Sequence, residues 1–117
     1  MNISITGLHL ESDPKTKEYA DKKTKKLLKY HPKIESISVR LLSEKNHRSE
    51  NHDYYCELTV HIPGKVLEIV DTQRTILAAI DKAVDRMKTA LVRAHEKQIS
   101  KDHKRGVLRK FLSRFGR

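Results

Sequence analysis

Tyr54-Tyr55-Cys56-Glu57-Leu58-Thr59-Val60-His61-Ile62-Pro63-Gly64-Lys65-Val66-Leu67-Glu68-Ile69-Val70-Asp71 is the stretch that decides the fold. Tyr54, Cys56, Leu58, Val60 and Ile62 fall on one face of an extended chain, with Glu57, Thr59 and His61 on the other. Pro63-Gly64 is a turn signal, and residues 65–71 supply a returning strand, so a hairpin is predicted. Upstream, Ile37, Val39 and Leu41 alternate with Ser36, Ser38 and Arg40, giving a strand that begins near Ile34. Residues 44–53 contain no apolar member and are expected to form an exposed loop. The half-polar character of these strands argues for an antiparallel-rich sheet with one wet face.

Around this core lie one more strand and two helices. Asn2-Ile3-Ser4-Ile5-Thr6 alternates with period two, and Gly7 then shifts the apolar phase to Leu8 and Leu10, the mark of a bulge or a strand end. Ser12-Asp13-Pro14 reads as a capped helix start. That helix should run to about Tyr30, because Pro32 disfavours helical geometry at the residue before it. Residues 75–101 carry the strongest helical pattern. With Ile80 as reference, Ile76, Leu77, Ala83, Val84, Met87, Leu91 and Ala94 all lie within about 60°. The order β-α-β-β-β-α predicts an α+β domain over residues 1–101, with two helices on one sheet face, followed by a tail over 102–117.

The chain has 117 residues, room for one domain and one core. Aromatics make up only 5%, so the core is expected to be aliphatic. Lys and Arg number 25 against 15 Asp and Glu, a net charge of +10. That charge is segregated: residues 15–33 carry +6, 74–101 carry +4 and 102–117 carry +5, while 34–73 carry −3. Such segregation is the electrostatic footprint of a polyanion binder. The plainer reading is that Lys-rich helices are solvated surfaces.

Helical arithmetic locates the charges. On the first helix Lys15, Lys25, Lys26 and Lys29 gather within about 60° of Lys22, opposite Thr16, Ala20, Thr24, Leu27 and Leu28. On the second, Lys82, Arg86, Arg93 and Lys97 form a stripe nearly opposite Ile80. If the helices pack side by side, these stripes are expected to merge into one basic surface with a groove between them. Aromatics do not interleave with the stripes in sequence, so phosphate contacts to structured RNA fit better than stacking on single-strand bases.

Chemistry is not indicated. The four glycines are scattered and form no phosphate loop. The seven histidines lack zinc spacing, and the His47, His52, Glu50, Asp53 loop reads as solvated. Cys56, the one cysteine, has the parity of an inward strand residue and is expected to be a buried hydrophobe. No catalytic residues, metal or cofactor are expected. No apolar run reaches the roughly 20 residues of a membrane span, and no secretory signal opens the chain, so a cytoplasmic protein is expected.

Four segments, in order, resemble one family. They are Met1-Asn2-Ile3-Ser4-Ile5-Thr6-Gly7; Lys22-Lys23 followed by Lys26-Leu27-Leu28-Lys29-Tyr30; Val60-His61-Ile62-Pro63-Gly64-Lys65; and Ala78-Ala79-Ile80-Asp81-Lys82 with Asp85-Arg86-Met87. Together they resemble the ribosome hibernation-promoting factors, in their short form. The resemblance implies a double-stranded-RNA-binding-like α+β fold. It implies a protein that sits in the decoding channel of the small ribosomal subunit, against ribosomal RNA, and blocks messenger and transfer RNA under stress without chemistry. It carries family basic residues onto Lys22, Lys25, Lys26, Lys29, Lys82, Arg86 and Arg93; Lys97 joins them by periodicity alone. Departures include Thr24, where a branched aliphatic is usual, so that the first helix should pack less firmly. Val92 and Ala94 stand where basic residues are frequent.

The expected partners are the small subunit and its ribosomal RNA, with no small-molecule substrate, no membrane and a monomeric free state. A stand-alone structured-RNA binder is the alternative, and a nuclease-like enzyme is disfavoured for want of an acid/base pair. In the tail, Val107, Leu108, Phe111, Leu112 and Phe115 recur at helical spacing among Arg105, Arg109, Lys110, Arg114 and Arg117. That basic amphipathic segment suits RNA, a membrane surface or docking on the domain; a solvated tail is the plainer reading.

Overall fold

The sheet is built around the predicted hairpin. A computed structural model describes the backbone of residues 2–8, 14–45 and 52–115, and the side chains of 3–6, 14–43 and 53–100. Its elements are β1 (Asn2–Leu8), α1 (Pro14–Lys25), a 3-10 segment (Lys26–Tyr30), β2 (Ser36–Lys45), β3 (His52–Ile62), β4 (Lys65–Gln73) and α2 (Ile76–Phe115). The strands lie in the order β1-β2-β3-β4. β1 runs parallel to β2, with Ile3 opposite Ile37 and Ile5 opposite Val39, and α1 makes the crossover that parallel pairing requires. The other two pairings are antiparallel, with Val39 opposite Leu58 and Leu58 opposite Ile69.

Side-chain alternation turns Ile37, Val39, Leu41, Cys56, Leu58, Val60 and Ile62 to one face, where both helices cover them. Ala20 and Leu27 from the first helical stretch, and Ala79, Ile80, Ala83, Met87 and Leu91 from α2, complete the core with no exposure. The other sheet face stays open, with Val66 and Val70 about half exposed on β4. Thr75 starts α2, its hydroxyl accepting the amide of Ala78 at 3.2 Å and its carbonyl that of Ala79 at 3.1 Å.

Four expectations change. Gly7 neither ends β1 nor breaks its register: Gly7 stands opposite Leu41 and Leu8 opposite Leu42. The loop expected over 44–53 is shorter, because Glu44 pairs with Asp53 and Lys45 with His52; ladder bonds need backbone, not apolar side chains. The first helix is α only to Lys25. Thr24, fully buried, donates its hydroxyl to the carbonyl of Ala20 at 2.8 Å, with that of Asp21 at 3.1 Å, a back-bond that bends helices, and the chain tightens to 3-10 two residues later. Thr24 thus fills its core position with its polar atom satisfied. Finally, the backbone of α2 continues past residue 101 to Phe115 as one helix. The Ser12-Asp13 cap, His47 with Glu50, and the tail's side chains lie outside the described residues.

Cys56 behaves as its parity implied. It is 1% exposed, and burial, followed by the neighbouring carboxylates Asp71 and Glu57, pushes its thiol up to about 12. Only the thiolate alkylates readily. Native protein should therefore resist iodoacetamide, with labelling that appears only as denaturant opens the domain. Rapid labelling of the folded protein would contradict this placement.

Candidate nucleic-acid interface

The two helices meet along a polar seam held by α2. Asp81 accepts a 2.5 Å hydrogen bond from the Tyr19 hydroxyl and an ion pair from Lys23 at 3.5 Å, both on α1. Accepting that bond makes the Asp81 carboxylate the main cause of the raised Tyr19 pKa, and its charge is the main cause of the raised Lys23 pKa. Two turns further, Lys88 of α2 lies 5.1 Å above the Tyr30 ring, with Lys29 5.2 Å from the same ring. Burial acts upward on the Tyr30 hydroxyl, but the two ammonium groups outweigh it and its pKa is lowered. Below them the rings of His31 and His95 meet edge to face at 5.4 Å. His31 is 7% exposed, and its Nδ1 accepts the amide of Lys33 at 3.1 Å, which places the ring proton on Nε2.

All eight candidate residues are exposed: Lys22, Lys25, Lys26, Lys29, Lys82, Arg86, Arg93 and Lys97. They do not form one surface. Asp81, Lys88 and His95 mark the flank of α2 that faces α1 and the 3-10 segment. Arg86 projects from the other flank, where it donates to the carbonyl of Val70 at 2.9 Å and pairs with Asp71 at 3.1 Å on β4. Lys82, Arg93 and Lys97 lie within about 40° of Arg86 around the helix and share its side. Exposed Asp85 and Glu96 stand on the crest between. The expected merged groove is therefore replaced by two tracks: Lys22, Lys26 and Lys29 along α1 and the 3-10 segment, and Lys82, Arg93 and Lys97 above the β4 edge. In the tighter 3-10 winding residues three apart eclipse, so Lys26 and Lys29 stand one above the other.

Among the described residues two candidates have ion-pair partners within the fold. Lys25 pairs with Asp21 at 2.8 Å, one turn earlier on its own helix. Arg86 holds Asp71, whose side chain is only 11% exposed and also accepts from Gln73 at 2.8 Å. Conversely, the sequence reading missed Lys23, Lys88 and Tyr30, and the aromatic it found absent from the basic stripes stands between two lysines. Lys88 could have been found only by knowing which flank of α2 meets α1. Among the described residues no group of His, Cys, Asp and Glu is arranged to hold a metal ion.

A one-sided α+β sheet whose covering helices carry lysine tracks defines a class of domain suited to an extended polyanion surface. The model of the family described as "Sigma 54 modulation protein / S30EA ribosomal protein" matches residues 3–99, and the chain belongs to that family. Membership places it among ribosome-associated proteins without enzymatic activity. A ribosome hibernation promoting factor from Azotobacter vinelandii is 26% identical over 101 residues, covering 86% of this chain and 89% of its own. The N-terminal domain of Protein Y from Thermus thermophilus superposes with a TM-score of 0.66 at 29% identity, over 80% of this chain and 98% of that domain. A ribosomal subunit interface protein from Coxiella burnetii shares the fold, with a TM-score of 0.66 at 18% identity, over 80% of this chain and 97% of its own.

Two outcomes follow from the site. Arg93→Glu should change stability by no more than about 0.5 kcal/mol, as surface substitutions do. Arg86→Glu should cost about 1–3 kcal/mol, because it leaves the nearly buried Asp71 without its cation. Urea denaturation of both variants checks the difference, and equal midpoints would refute the clamp. The second outcome concerns pH. Burial, then His95 and Lys33, lowers the His31 pKa, so the folded state resists a proton that the unfolded chain accepts. The stability from neutral His31 is complete above the unfolded value of about 6.5 and is lost as pH falls below it. His31→Gln should flatten the decline in urea midpoint over that range; an unchanged decline would exclude His31 as its source.

Proposed function

We propose that this protein is a ribosome hibernation factor that docks on the small subunit and occupies the decoding channel, where it excludes messenger and transfer RNA and halts translation under stress. Residues 1–101 are its ribosome-binding domain, and the basic residues 102–117 extend that contact. The observation that carries this reading is the exposed track of Lys22, Lys26 and Lys29, for which the fold supplies no ion-pair partner among the described residues. Like charges a turn apart repel mildly, by a few tenths of a kcal/mol per pair, and a phosphate backbone relieves that repulsion. Lys82, Arg93 and Lys97 form the second contact on the far flank of α2. The named functions of the relatives from Azotobacter vinelandii and Coxiella burnetii, hibernation and a place at the subunit interface, support the same reading.

Such binding works by positioning charge and occupying space, with no bond made or broken. Phosphate contacts set the register of a basic surface on structured RNA and need no base-specific readout. Lys22→Glu combined with Lys26→Glu and Lys29→Glu should abolish co-sedimentation with small subunits in a sucrose gradient while leaving the urea midpoint nearly unchanged. For the parent protein, affinity should fall by roughly 10³–10⁵ between about 50 and 200 mM salt if six to ten phosphates are contacted. A folded variant that still co-sediments would sink this mechanism. Equal affinity for a free RNA duplex and for the small subunit would favour the stand-alone RNA-binder reading instead.

A further inference from the structure

A cleft of about 380 Å³ opens where α2 passes the β3–β4 turn, at the His31 end of the seam between the helices. Three elements each send one lysine to its wall: Lys33 from the segment before β2, Lys65 from the first position of β4, and Lys97 from α2. Ile62, Ala94 and His31 supply its apolar and aromatic lining, with Ile62 and His31 each only 7% exposed. Among the described residues no carboxylate lines it. None of the three lysines has an ion-pair partner among the described residues. At the mouth, Gly64 turns with φ +75°, and an added Cβ there would meet nothing within 4 Å, so the approach is open.

Three cations around a weakly polarisable wall focus a positive field into the cleft, and their mutual repulsion is relieved only by an anion. A cleft of this size accepts a small-molecule ligand. Ammonium groups on separate flexible stems suit a compact tetrahedral oxyanion with several acceptor oxygens better than a planar carboxylate, which favours the fork of arginine. We infer that the cleft between Lys33, Lys65 and Lys97 is a phosphate-binding site, separate from the track on the first helix and meeting the second track only at Lys97. The phosphate group can be presented by an RNA strand or by a free phosphate compound. Only the RNA source rests on the function proposed above.

The test is an amide chemical-shift titration of the full chain with inorganic phosphate and with adenosine monophosphate, at constant ionic strength made up with chloride. The expected result is saturable shifts confined to residues 31–33, 62–65 and 94–98. Lys33→Gln and Lys97→Gln, both at exposed positions, should each weaken binding about tenfold, the usual weight of one charge-assisted hydrogen bond. Shifts spread equally over Lys22 and Lys26, or binding unaffected by either variant, would overturn the site. A duplex-RNA arm assigns the source. If RNA supplies the phosphate, RNA competes with inorganic phosphate and Lys33→Gln, a residue of neither track, lowers the salt slope of RNA binding by roughly 0.7–0.9. If a free compound supplies it, the site titrates as before while RNA neither competes nor responds to the variant. The site thus stands or falls on the phosphate titration, whether or not the protein binds ribosomes as proposed.

Discussion

One sheet face is apolar and the other is not, and this asymmetry governs the rest of the molecule. Burying Ile37, Val39, Leu41, Leu58 and Val60 requires cover on a single side, and two helices supply it. Each buried aliphatic contributes roughly 1.5–3 kcal/mol of transfer free energy, an upper range because the unfolded chain is already partly collapsed. Once both helices lie on the same face, their remaining polar surfaces must point outward together. The basic display is thus a by-product of how the core closes. A sheet covered on both sides would have divided those lysines between opposite faces of the domain.

How the helices adjoin determines which charges meet. Asp81 draws Tyr19 and Lys23 across the seam, so one of the few acids on α2 serves to join the helices. Arg86 performs the matching role on the other flank, tying α2 to β4 through Asp71 and the Val70 carbonyl. Exposed single ion pairs contribute little, but Asp71 is nearly buried, and a nearly buried acid stripped of its cation is destabilising. Positive charge on this domain is therefore of two kinds. Some cations are neutralised by the architecture, as Lys23, Lys25 and Arg86 are. Others, such as Lys22, Lys26, Lys82 and Arg93, have no acid placed for them among the described residues.

Much of the fold was legible because periodicity records burial directly. Cys56, Leu58, Val60 and Ile62 announce an inward face, and Ile80, Met87 and Leu91 announce the underside of α2. Periodicity is silent on whatever the backbone does alone. The pairs Glu44 with Asp53 and Lys45 with His52 extend a hairpin through polar residues, and Gly7 keeps its register although the side-chain phase shifts. The candidate site was legible at the level of single helices and not at the level of their arrangement. A helical wheel separates Lys82, Arg86, Arg93 and Lys97 from the core, yet it cannot say which flank adjoins a neighbour. Lys88 and Tyr30, far apart in sequence, meet only because that flank is fixed by Asp81 and His95.

The length of α2 has a consequence of its own. Its residues up to Leu91 are clamped to the sheet, whereas from Glu96 to Ser100 every side chain is exposed. Starting a helix is the unfavourable event, and each later residue then adds one hydrogen bond to an existing template. The outer turns, to Phe115, are therefore elongation from a nucleus the folded domain has already formed. Their helicity is set by local propensity, and fraying proceeds from the turns farthest from the sheet. Gly106, about 1 kcal/mol poorer than alanine in a helix interior, is the weakest link in that propagation. Anything that binds the outer turns as a helix thus gains from order imposed some 20 residues upstream by the sheet, a cooperative link that a detached peptide of the same sequence would lack.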